Sequence, residues 1–104
     1  MFPEEVILKV LVQMSLGINS LHKLRIMHRD LKTANVFLSD SYIVKIGDLN
    51  VSKLARKDGL NYTQAGTPYY ASPEVWNDHP YDFKSDVWSL GCIVYEMACL
   101  HLPF

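Results

Sequence analysis

Cysteine, histidine and net charge are all scarce in this 104-residue chain, with two cysteines, four histidines and a formal net charge of -1. Each scarcity removes a class of explanation. Cys92 and Cys99 fall seven residues apart in a helical pattern, roughly 10 Å along a helix axis at about 1.5 Å per residue. A disulfide needs Cα atoms within about 7 Å, so the two cannot bridge each other and are expected as small buried thiols on one helix. His22, His28, His79 and His101 lack ligand spacing, which argues against a zinc site. The charge balance argues against nucleic acid or a membrane surface as partner, since both call for a basic face. No run of about 18 uncharged apolar residues is present, so no membrane span is expected. Met1-Phe2-Pro3-Glu4-Glu5 has neither a basic nor an apolar leader region. No signal peptide is therefore expected, and the cytoplasm, or the nucleus, is the default location. Repeats, linkers and low-complexity segments are also missing.

What is present is ordinary in bulk. The chain is 49% apolar and 20% charged, as in soluble globular domains, and its length suits one modest core. Ile7, Val10, Leu11, Met14, Ile18 and Leu21 recur at helical spacing, with Val6, Leu8, Val12 and Leu16 on the other side. That pattern predicts a helix over 3–22, begun by Pro3, Glu4 and Glu5 and buried nearly all round. Residues 25–27 read as a short extended step. Val36-Phe37-Leu38, the turn formers Ser39-Asp40-Ser41 and Tyr42-Ile43-Val44-Lys45-Ile46 read as a β-hairpin. Residues 51–71 have weak periodicity and many turn formers, and a structureless stretch of that length in a small domain is usually functional. Ser72-Pro73-Glu74 predicts a short helix with Ser72 as its cap. Ser85-Asp86 opens another, with Val87, Leu90, Ile93, Val94, Met97 and Leu100 apolar, expected to be buried, to reach about Leu100 and to be stopped by Pro103.

The chemistry concentrates in His28-Arg29-Asp30-Leu31-Lys32-Thr33-Ala34-Asn35, with a second carboxylate eighteen residues beyond Asp30 in Asp48-Leu49-Asn50. The string H-R-D-L-x-x-x-N resembles the catalytic loop of eukaryotic protein kinases. Four further strings stand in that family's order: Asp48-Leu49-Asn50, Gly66-Thr67-Pro68-Tyr69-Tyr70, Ser72-Pro73-Glu74 and Asp86-Val87-Trp88-Ser89-Leu90-Gly91. A lone charge pair at Asp30 and Lys32 could be an idle surface feature; five motifs in register are not. Phosphoryl transfer needs an oriented hydroxyl, cations on the phosphates and metal ions bridging them. Asp30 can accept or orient the hydroxyl proton, and Lys32 is a cation for the transferring phosphate. Asn35 and Asp48 offer the hard oxygens that Mg²⁺ prefers. The hairpin would fold Asn35 and Asp48 back toward each other.

The resemblance implies more. Thr67 matches the threonine that bridges the catalytic aspartate and lysine in serine/threonine kinases, and Lys32 fits the same class. Phe37 falls where such kinases floor the adenine ring, although a plain core phenylalanine is an equal reading. His28 would be a core residue under Leu49, and Asp86 the buried aspartate that holds the catalytic-loop backbone. Glu74 matches a glutamate whose arginine partner lies further down the lobe than this chain extends. Arg29 would pair with a phosphate on the activation loop, with Thr63 as the modified hydroxyl; an unmodified loop threonine is the blander reading.

The strings His28 to Leu38 and Gly66 to Tyr70 resemble the NIMA-related (Nek) group in particular. That resemblance adds centrosome, cilium and nucleus to the cytoplasm as expected locations. Two departures stand out. Asn50 replaces the glycine of D-F-G, and asparagine is among the non-glycine residues that best tolerate positive φ. The glycine-rich phosphate loop and the V-A-I-K lysine are absent. The expected fold is α+β, mainly α: a partial kinase-like C-lobe over 1–104, with two buried helices, a short β-hairpin and the catalytic and activation loops. The expected function is ATP- and Mg²⁺-dependent phosphoryl transfer to a protein serine or threonine, with protein substrate and ATP as partners. The isolated chain is expected to be inactive, because nucleotide positioning supplies much of the rate. A pseudokinase and a non-catalytic interaction fragment are the alternatives.

Overall fold

The computed structural model describes residues 1–47, 53–54, 68–77 and 79–104. Helix α1 (Glu4–Lys23) is followed by strand β1 (Ile26–Met27) and a 3₁₀ turn (Thr33–Asn35). Strands β2 (Val36–Leu38), β3 (Val44–Ile46) and β4 (Lys53–Leu54) come next. A second 3₁₀ turn (Pro68–Tyr70), helix α2 (Pro73–Trp76) and helix α3 (Lys84–Cys99) complete the order. Helices α1 and α3 pack on each other, and the two antiparallel pairs β2–β3 and β1–β4 carry the loops between them.

Pro3 serves as the cap of α1: its carbonyl accepts from the amides of Val6 and Ile7. Glu4 and Glu5 then face the positive end of the helix dipole, with His22 and Lys23 at the negative end. Arg25 adopts a φ of 59° just beyond the helix, the left-handed turn that ends many helices. The buried stripe is Val10, Met14 and Ile18, one face at spacing four. Leu8, Val12 and Leu16 are exposed, so the expected all-round burial is corrected. Periodicity marks which residues are apolar, whereas burial depends on a neighbour, and α3 and the hairpin cover one side only.

The main core joins Val10, Met14 and Ile18 to Leu31, Tyr70, Leu90, Cys92, Ile93 and Met97. Each large side chain buried this fully contributes about 1.5–3 kcal/mol. A satellite of Met27, Val75 and Tyr81 sits under α2. On helix α3, Val87, Trp88 and Tyr95 are exposed, and Trp88 stacks on Phe104 with ring centroids 5.7 Å apart. Cys92 is buried and Cys99 is exposed, correcting the expectation of two buried thiols. Burial pushes the Cys92 thiol above its ordinary pKa. The helix stops before Pro103. Leu100 turns left-handed (φ 60°) and its amide donates to the Glu96 carbonyl, at a conformational cost of about 1–2 kcal/mol for a non-glycine residue.

The hairpin forms with Val36 opposite Ile46, Phe37 opposite Lys45 and Leu38 opposite Val44. Its second strand is shorter than the apolar run suggested. Tyr42 has φ 60° and its amide bonds the Ser39 carbonyl, while the Ile43 amide donates to Ser39 Oγ, so both residues belong to the turn. Gln13 of α1 grips the hairpin by its backbone: Nε2 donates to the Tyr42 carbonyl (2.9 Å) and Oε1 accepts from the Val44 amide (3.0 Å). Part of the stretch expected to be structureless is a strand, because Lys53 and Leu54 pair with Met27 and Ile26. Ser72 precedes α2 in extended conformation with Pro73 at the first turn, but its side chain does not cap the helix. Its hydroxyl donates instead to Ser85 Oγ, which donates to Glu74 Oε1. Ser85 thus ties α2 to α3, and α3 begins one residue earlier, at Lys84.

Candidate active site

A buried carboxylate anchors the loop that follows β1. Asp86, near the start of α3, is 2% exposed. Its Oδ2 accepts from the His28 amide at 2.9 Å and its Oδ1 from the Arg29 amide at 3.0 Å. His22 Nε2, at the end of α1, lies 2.9 Å from the same Oδ2. Three N–H donors on one carboxylate are charge-assisted and strong, and here they offset a local strain. Arg29 has φ 72°, a left-handed conformation that costs a non-glycine residue about 1–2 kcal/mol. The backbone grip expected of Asp86 is present.

His28 is fully buried and bonds in two directions. Its Nδ1 accepts from the Asp30 amide at 3.1 Å, so its hydrogen sits on Nε2. Nε2 then donates to the Gly47 carbonyl at 2.8 Å. The imidazole therefore joins the catalytic-loop segment to the residue that precedes Asp48.

Asp30, Lys32 and Asn35 come together through the 3₁₀ turn. The Asn35 amide closes that turn on the Lys32 carbonyl. Asn35 Nδ2 donates to the Asp30 carbonyl at 2.8 Å and to Asp30 Oδ2 at 3.3 Å. Lys32 Nζ lies 3.7 Å from Asp30 Oδ2. With Nδ2 committed to Asp30, Oδ1 is the acceptor end of the buried Asn35 amide. The Asn35 carbonyl accepts from the Gly47 amide, so the hairpin register fixes Asn35 against the strand that leads to Asp48. Phe37, on β2, is 57% exposed.

Arg29 is set against Tyr81, its guanidinium 6.0 Å from the ring centroid. Burial raises the Tyr81 pKa, and the neighbouring guanidinium partly opposes that rise. Asp48, Leu49, Asn50, Thr63 and Thr67 lie outside the described residues. Glu74 accepts from Ser85 Oγ.

One arrangement had no counterpart in the sequence reading. Tyr70 is buried; its hydroxyl donates to Glu96 Oε2 on α3 and lies 3.1 Å from Thr33 Oγ1 in the catalytic loop. With the tyrosine proton committed to Glu96, the Thr33 hydroxyl donates to Tyr70. Burial raises the Tyr70 pKa, the Glu96 hydrogen bond raises it further, and Thr33 opposes both. Ser89 Oγ also donates to the Tyr70 carbonyl at 2.7 Å. In the sequence Tyr70 is marked only by the Gly66 to Tyr70 string, and hydroxyl pairings between residues 37 and 26 positions apart leave no periodic trace.

With this geometry in place, comparison with known proteins assigns the class. The protein kinase domain family model matches residues 1–104, and the chain belongs to that family. Among curated relatives it is similar to the mouse serine/threonine-protein kinase Nek3, at 48% identity over the whole chain and 20% of the relative. Mouse Nek4 is 47% identical over the whole chain and 13% of its own length, and human Nek11 48% identical over 99% of the chain and 16% of its own. The chain thus spans a fifth or less of these Nek kinases.

Proposed function

We propose that residues 1–104 form part of the C-lobe of a protein serine/threonine kinase and carry its proton-handling and one of its metal-facing groups. The observation behind this reading is the cluster of Asp30, Lys32 and Asn35, joined at 2.8–3.7 Å and suspended from Asp86. In it, Asp30 accepts or orients the proton of a protein hydroxyl, and Asn35 holds the carboxylate in place. Lys32, part-exposed beside Asp30, faces the transferring phosphate, and Thr67 would take the bridging role that the family resemblance implies. Holding a nucleophile in this way is worth several orders of magnitude in rate.

ATP and Mg²⁺ fit the groups present. The buried Asn35 amide has its nitrogen bonded to Asp30, which leaves a neutral oxygen as the ligand atom, and Asp48 would add an anionic one. Hard oxygens of this kind suit Mg²⁺, which supplies charge neutralisation on the phosphates when bound. Phe37, an exposed aromatic on a strand, provides an apolar face for adenine. Arg29 would receive a phosphate on Thr63 and so order the activation loop. The location that accompanies this reading is the cytoplasm, extending to the centrosome, cilium or nucleus.

The test is phosphate incorporation into a generic protein substrate by the full-length protein with Mg-ATP, against Asp30→Asn. A loss of about 10²- to 10⁴-fold is expected for a general base of this kind. Equal incorporation by the two would refute the role given to Asp30, and none by either would refute the kinase reading itself.

A further inference from the structure

Gly47 stands where no backbone constraint asks for glycine. Its φ lies outside the left-handed range, and its amide and carbonyl are both bonded, to the Asn35 carbonyl and to His28 Nε2. Any L-residue could adopt this backbone. What a side chain would meet is Phe37: a Cβ built at Gly47 falls 2.9 Å from Phe37 Cε2 and 3.6 Å from Cδ2. The sheet explains the encounter. Phe37 pairs with Lys45, and Gly47, two residues on, shares its face at the diagonal position. The other heavy atom near that Cβ, the Asn35 carbonyl oxygen at 3.9 Å, is in ordinary contact. The two remaining described glycines differ: at Gly17 the nearest atom is 3.3 Å away, and at Gly91 nothing lies within 4 Å.

We propose that Gly47 is a positioning residue whose missing Cβ lets the edge of the Phe37 ring lie against the hairpin, and that this pose sets the apolar face offered to a purine ring. The proposal rests on the reading of Phe37 as the adenine floor. The ring is 57% exposed, so it can swing away from an added methyl without disturbing the core. Gly47→Ala therefore moves the ring and spares the fold, while the Asp30–Lys32–Asn35 cluster, joined to Gly47 through its backbone only, keeps its geometry.

The experiment is a double-mutant cycle in the full-length protein with Gly47→Ala, Phe37→Ala and the pair, read by KM for ATP and by kcat. Ring contacts are measured separately by NMR in the absence of nucleotide. Gly47→Ala is expected to raise KM for ATP about three- to tenfold, the range for losing a well-placed aromatic contact, with kcat within about twofold of the parent. In the Phe37→Ala background the same substitution should have no further effect, because the ring it displaces is gone. In the nucleotide-free parent, Overhauser contacts between the Gly47 α-protons and the Phe37 ring are expected, and the corresponding ring contacts should weaken in Gly47→Ala. Their absence in the parent would overturn the proposal whatever the kinetics. A Gly47→Ala effect that persists without the Phe37 ring, or falls on kcat, would overturn it too, since it would then act through Asp48 or the loop. If Phe37→Ala leaves KM for ATP unchanged, the adenine-floor reading fails. If Phe37→Ala raises KM and Gly47→Ala does not, that reading stands and the role of Gly47 fails alone.

Discussion

The catalytic-loop segment is held at two ends, and the ends are built differently. At His28 and Arg29 the holder is Asp86, a 2% exposed carboxylate that accepts two backbone amides and the His22 side chain. At Thr33 the holder is a chain of hydroxyls running through Tyr70 to Glu96, which is half-buried. The first end grips the backbone, so it fixes position whatever side chains the loop carries. The second grips side chains, so it depends on their identity and is open to screening by water. A carboxylate accepts a charge-assisted bond at both ends; the buried one holds the backbone where it is strained, at Arg29, and the half-buried one holds side chains where the loop passes into the 3₁₀ turn.

The sharpest way to break this comparison is to remove the carboxylate. Asp86→Ala leaves a buried and a part-buried backbone amide without their acceptor, and a loss of about 3–5 kcal/mol in urea unfolding is expected. A loss below about 1 kcal/mol would mean that the loop is held from elsewhere. At the other end, Tyr70→Phe deletes one hydroxyl and keeps the ring in the core. About 1–2 kcal/mol is expected by the same measurement, and an equal or larger loss than in Asp86→Ala would invert the ranking.

The smallest effect is one of pH. Folding raises the Tyr70 pKa above its ordinary 10.0, chiefly through burial. The folded state therefore favours the protonated phenol. The contribution of Tyr70 is fully present below pH 10, and it is lost as pH rises through the higher folded value. Thermal melts at increasing alkalinity should show the parent losing more stability than Tyr70→Phe across that window. Parallel curves would remove Tyr70 from the alkaline response and leave Tyr81, which is also raised.

Much of the fold was legible before the structure. Helix α1 and helix α3 lie within a residue or two of the ranges that periodicity predicts, and the hairpin joins the two apolar runs around the Ser39-Asp40-Ser41 turn. Asp30, Lys32 and Asn35 were singled out by type and spacing, and the structure brings those three together. The misses share a cause. The exposure of Leu8, Val12 and Leu16, the pairing of β4 with β1 and the left-handed stop at Leu100 each depend on what lies across from the residue. So does the bonding of the Ser72 hydroxyl to Ser85, at the cap position of α2, instead of to a helix amide. A period reports the residue and its near neighbours along the chain; it carries nothing about the partner.

By itself, then, the sequence determined the helices, the hairpin and the chemical kit of residues 28–35, because those follow from local geometry and from the order of functional groups along the backbone. The tertiary structure alone decided which groups hold that kit in place. Asp86 reaches His28 across 58 positions and His22 across 64, and Phe37 meets the space left by Gly47 only because two strands pair in one register. Hydrogen bonds and ring contacts act over a few ångströms in space, and only folding sets which residues come within that range.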